Sequence, residues 1–138
     1  MKQTLLQERY PIFSLEIDKS ETRFRSVAEI VAHLKRRIEE HRLATLIAIF
    51  DHFAHTKGLA EGQVDEQILA AQNIVFCFGL AIPSPQVMAV RPRSIGVVEL
   101  PHAFIITFME APMPLANSAM ELWAHELQDP SVEPAPAL

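Results

Sequence analysis

Asp51, His52 and His55 stand within the stretch FDHFAHT, at the end of a long apolar run. Two histidines three residues apart share one face of a helical turn but point to opposite faces of a strand. Joint ligation of a metal therefore requires a turn here. Two imidazoles and a carboxylate are a chelating set for Zn²⁺, Fe²⁺ or Cu²⁺. With an acidic third ligand such as Glu110, His52 and His55 would serve a metal-dependent enzyme in which Arg91 or Arg93 orients an anionic substrate. The plainer reading makes Asp51 a helix N-cap whose oxygen is committed to the backbone, with Phe53 packed inward and both histidines at the surface.

The second candidate is VRPRS, where Arg91 and Arg93 flank Pro92 in an extended stretch. Two neighbouring guanidiniums form a clamp for a carboxylate, phosphate or sulfonate. The competing reading pairs them with acids of the chain or of a partner. Strand ends along one sheet edge tend to line a common crevice. Asp51, His52, His55, Arg91 and Arg93 are accordingly the expected ligand-binding set, and they act together only if the two segments converge.

Other reactive residue types read as structural. Cys77 lies among apolar neighbours in NIVFCFG and is expected in the core, without an adjacent base. Glu99 and Glu110 fall on a hairpin and read as surface carboxylates. His102 reads as exposed in a turn, His33 and His41 as members of a charged helix face, and His125 as flanking the core beside Trp123. No Walker loop, dinucleotide fingerprint, nucleophile elbow, H-E-x-x-H or C-x-x-C is present, and four glycines are too few for a glycine-built phosphate cradle.

The elements that position these residues follow from periodicity. Ile12 to Asp18 alternates with a period of two, as a half-exposed strand does. Ser26 with Glu29 forms a capping box ahead of Val27, Ile30, Val31, Leu34 and Ile38, one face of a helix. Leu43 to Phe50 is apolar almost throughout and predicts a central strand covered on both faces. Asp51 then caps a short helical turn ending near Gly58, and Val64 to Gln72 predicts a second short helix. Asn73 to Phe78 repeats the central-strand pattern. PQVMAV predicts a short helical segment, Ser94 to Leu100 and Phe104 to Glu110 a hairpin, and Ser118 with Glu121 the cap of a last helix carrying Met120, Trp123, Ala124 and Leu127.

This order, β-α-β-(short α)-β-(loop or short α)-β-β-α, predicts an α+β fold: a single sheet of about five strands with two main helices packed on it. Residues 1–128 are expected to form one domain and 129–138 a disordered Pro/Ala-rich tail. If the helices cover one face only, self-association supplies the second cover, so a homodimer is expected.

The strand ending in FDHFAHTKGL, the segment NIVFCFGLAIPSPQVM and the hairpin SIGVVELPHAFIITFMEAP together resemble a group of small uncharacterised bacterial proteins, domains of unknown function. Their α+β fold carries an "IDH"-type turn after a central strand and an "FGNP"-type turn after the next. The resemblance spans roughly residues 30–127. AVRPRSIGVVELPHAF has no counterpart in the broader group, which implies a distinct subfamily. The resemblance implies a fold and turn positions but no activity, cofactor or substrate.

Composition bounds the rest. A chain of 138 residues buries roughly 70% of its unfolded surface, enough for a core without disulfides or structural metal. A net charge of −5 argues against a sequence-independent nucleic-acid binder, which needs a basic face. The one cysteine and the charged N-terminal stretch point to a cytoplasmic protein, and the longest apolar run, LATLIAIF, is far short of the roughly 18 residues of a membrane span. The expected function is a non-enzymatic module binding a small anionic ligand, with the metal-dependent enzyme as the alternative and the cofactor unknown.

Overall fold

Six strands pair antiparallel in the order β1-β2-β6-β5-β4-β3 in the computed structural model, which describes residues 1–134. They are β1 (Lys2–Leu6), β2 (Tyr10–Asp18), β3 (Ala44–Phe50), β4 (Ala70–Phe78), β5 (Arg93–Glu99) and β6 (Ala103–Met109). Three α-helices accompany them: α1 (Val27–Glu40), α2 (His52–Gly58) and α3 (Pro114–Glu126). The fold is α+β as expected, with six strands rather than five. No helix among the described residues is long and apolar enough to cross a membrane.

Alternation along the strands builds the core. Leu15 and Ile17 of β2, Ile74, Phe76 and Phe78 of β4, Ile95 and Val97 of β5, and Phe104, Ile106 and Phe108 of β6 all turn to one face and are buried there. Burial of each such side chain stabilises the fold by about 1.5–3 kcal/mol. Ser26 caps helix α1 as predicted, its Oγ accepting from Glu29 N at 3.1 Å, while the Glu29 carboxylate reaches one residue further back and accepts from Arg25 N at 3.1 Å. Its stripe of Val27, Ile30, Val31, Leu34 and Ile38 lies fully in the core. From α3, Trp123 stacks on Phe78 with centroids 5.9 Å apart. Thr22 Oγ1 donates to Leu127 O at 2.6 Å, tying the entry to α1 to the end of α3.

The opposite face of the sheet carries no long helix among the described residues. Helix α2 and the loop following it lie over one corner, where His52 reaches Asn73 of β4. Cys77 is on this side, half-exposed rather than in the core, because it alternates with the buried Phe76 and Phe78.

Several expectations are corrected. Leu43 to Phe50 is not a central strand: β3 is an edge strand, and four consecutive residues from Ile47 to Phe50 are exposed. Interior and edge positions are decided by distant pairing partners, which local apolarity does not encode. β1 lies outside the predicted elements, because the β1–β2 turn uses no Gly or Asn; Gln7 and Glu8 adopt φ of 53° and 62° instead. The predicted helix over Val64 to Gln72 is absent: Asp65 Oδ1 accepts from Gln67 N in a tight turn, and β4 begins at Ala70. The short helical segment expected over PQVMAV is present, as a 3₁₀ turn at Pro85–Val90. Helix α3 starts at Pro114, four residues before the predicted Ser118 cap, because Asn117 braces its first turn against Ala111.

Three histidines also differ from expectation. His33 is buried under α3, His41 leaves the helix to pack on Phe78 and Trp123, and His125 is exposed. Of the expected tail, Val132 packs against the core and Glu133 pairs with Arg23. Residues 135–138 lie outside the described residues.

Candidate functional site

Arg93 opens β5 opposite Phe76 of β4. Partners in an antiparallel ladder share a face, so Arg93 points to the helix-covered side, at the end of the sheet where α3 begins. There, β4's end, the 3₁₀ turn and the Ala111–Ala116 stretch enclose a cavity of about 250 Å³. Its wall is mainly apolar: Phe78, Leu80, Val87, Val90, Met113 and Ala116. Arg91 and Arg93 supply its charge.

Both arginines are held by backbone carbonyls. Arg91 Nη1 donates to Ala81 O at 2.7 Å, Arg93 Nη1 donates to Val90 O at 3.0 Å, and Arg93 Nη2 donates to Met109 O. Arg93 Nε is buried without an acceptor among the described residues. Burial lowers the Arg93 pKa from the ordinary arginine value, yet a guanidinium remains charged. No carboxylate among the described residues pairs with either side chain. The alternative of internal ion pairs, open at the level of sequence, is therefore not what holds them. Two cations thus stand beside an apolar cavity with backbone carbonyls as their only hydrogen-bond acceptors among the described residues.

The Asp51–His55 turn lies elsewhere. Helix α2 forms as a capped turn, with Asp51 Oδ1 accepting from Ala54 N at 2.9 Å. His52 Nδ1 stands 3.1 Å from Asn73 Oδ1, and Asn73 Nδ2 donates to Ser94 Oγ at 3.0 Å. Asn73 and Ser94 alternate with the buried Ile74 and Ile95, so this polar row runs on the open face. His55 packs against the Phe50 ring, with centroids 5.3 Å apart. The histidines and the arginines thus occupy opposite faces of the sheet, and one small ligand does not reach both. A separate hollow of about 250 Å³ lies between His52, Phe53 and the Asp65 turn. Among the described residues no three His, Cys, Asp or Glu side chains gather around a common point, and Glu110 is exposed beyond the end of β6.

Glu99 pairs with Lys19 at 2.7 Å, and His102 is exposed beside Glu16. The cavity walls and the Asn73–Ser94 row escaped sequence reasoning. VRPRS signalled the charge, but nothing local signals that residues 78–90 and 111–116 meet it.

A family of unknown function, DUF6858, matches residues 1–129. The chain belongs to DUF6858. That match covers the whole sheet and all three helices of this DUF6858 chain, including the arginine cavity. No curated protein and no solved structure matches it.

Proposed function

We propose that the chain is a binding module for a small organic anion with an apolar body, held in the cavity above β4 and β5. The observation that carries this reading is the pair Arg91 and Arg93, both lining an apolar cavity and neither matched by an acid among the described residues. A monocarboxylate bearing a short alkyl chain or single ring suits it: the carboxylate faces the guanidiniums, and the body displaces water from the Phe78, Val87 and Met113 side. The Asp51–His55 turn stands outside this ligand. The module works as a homodimer through the outer edge of β3.

Calorimetry and thermal shift with hexanoate, benzoate, hexanamide and inorganic phosphate test the reading. Hexanoate or benzoate is expected to bind and raise the melting temperature, while the neutral amide and bare phosphate do not. Arg93→Met should weaken carboxylate binding by about 1.5–3 kcal/mol, the worth of a hydrogen bond to a charged group. Equal binding of amide and acid, or no binding by either carboxylate, would overturn it.

A further inference from the structure

Among the described residues the outer edge of β3 meets no strand. Edge strands present unpaired N–H and C=O groups, and proteins blunt them with charges or prolines. Leu43 to Phe50 carries neither, and Ile47, Ile49 and Phe50 are 53%, 43% and 41% exposed. The opposite edge, β1, is shorter and carries Lys2.

The apolar run is bounded by Arg42 and Asp51. Laid antiparallel on a second copy of itself about the point between Leu46 and Ile47, it matches Thr45 with Ala48, Ala44 with Ile49, Leu43 with Phe50, and Arg42 with Asp51. Every inner pair joins two side chains without charge, and both ends join opposite charges. Arg42 and Asp51 are exposed and have no ion-pair partner among the described residues. Asp51 commits Oδ1 to the α2 cap, and its second oxygen is available to a guanidinium.

The faces agree as well. A register irregularity between Leu46 and Ala48 shifts the alternation of β3 by one residue. Ala44 and Ile49 therefore oppose Phe78 and Ile74 on the helix side, while Thr45 and Ala48 oppose Cys77 and Val75 on the open side. In both the Ala44–Ile49 and the Thr45–Ala48 pair the two members share a face, as an antiparallel ladder about a twofold axis normal to the sheet requires. In an unbulged strand this register would set the members of each pair on opposite faces. A bulge usually spoils an edge for pairing; here it brings the self-complementary register into phase.

We propose that β3 pairs with β3 of a second copy in this register, joining two six-stranded sheets into one, with Arg42–Asp51 ion pairs at both ends. Sedimentation equilibrium of the full chain should find a dimer. Ile49→Lys should raise its dissociation constant at least about a hundredfold, since the edge would then bury an unpaired charge, whereas Leu5→Lys on the β1 edge should leave it unchanged. Arg42→Asp and Asp51→Arg should each weaken the dimer, and the double variant should be tighter than Asp51→Arg alone. If Ile49→Lys does not fold, Thr45→Cys with Ala48→Cys in a Cys77→Ser background replaces it. Oxidation should then join position 45 of one chain to 48 of the other. A monomer at all concentrations, a dimer indifferent to Ile49→Lys, or cysteines that do not cross-link in this register would overturn the proposal.

Discussion

Among single residues, His33 is the most constrained ionisable group. Its Nε2 lies 3.2 Å from Glu126 Oε1, and its Nδ1 lies 3.0 Å from Arg36 Nη2. Nδ1 facing a guanidinium must accept, so Nε2–H donates to the carboxylate and the ring is neutral. Arg37 Nε donates to the same Glu126 oxygen at 3.0 Å. Burial lowers the His33 pKa; Glu126 opposes this by hydrogen bond and charge, and Arg36 and Arg37 add to it. A histidine whose folded pKa is depressed holds its stability above the unfolded value, near 6.5, and loses it as pH falls from there through the folded pKa. Urea unfolding across that window should show a decline that His33→Gln flattens and Glu126→Gln steepens, because the carboxylate is the group that favours the protonated ring. Parallel slopes in all three proteins would contradict this.

At the scale of the element, the β6-to-α3 corner depends on one side chain. Met113 precedes α3 without a side-chain cap and Pro114 leads its first turn. Asn117 supplies the brace: Oδ1 accepts from Ala111 N and Nδ2 donates to Ala111 O, both at 2.8 Å. Asn117→Ala leaves two partly buried backbone groups without partners and should destabilise the fold by about 1–3 kcal/mol in urea unfolding. Since Ala111, Met113 and Ala116 wall the arginine cavity, the same substitution should also weaken any carboxylate bound there. The corner shows why the start of α3 was hard to read. Ser118 and Glu121 have the spacing of a capping box, but a bond from Asn117 back to a strand end set the boundary earlier. The start of α1 was legible because Ser26 and Glu29 act within one turn, and its whole buried stripe followed. β1 was illegible because its turn forces Gln7 and Glu8 to positive φ, which no residue preference announces. Of the site, VRPRS could be read as charge in search of an anion. That Arg93 and His52 lie on opposite faces follows only from a register in which Phe76 meets Arg93 and Asn73 meets Gly96.

At the scale of the molecule, one apolar face is covered twice and the other hardly at all. Helices α1 and α3 share the core side, joined by Thr22 to Leu127, His33 to Glu126 and Arg37 to Glu126. Buried contacts therefore connect residues about a hundred positions apart, and removing α3 would expose Phe76, Phe78 and the inner side of α1 together. The DUF6858 match spans this entire unit.

The strand order also bears on how the chain is made. β2 sits between β1 and β6, and its ladder to β6 joins Ile12–Asp18 with residues 103–109. On the ribosome, the β1–β2 hairpin has no inner neighbour until β6 has left the exit tunnel, whereas each of β4, β5 and β6 finds its preceding strand already made. Chains stalled before residue 103 should leave residues 1–18 open to protease, and chains stalled well past residue 109 should protect them. Residues 1–18 precede their inner neighbour in the chain by about ninety positions and are expected to dock on it late.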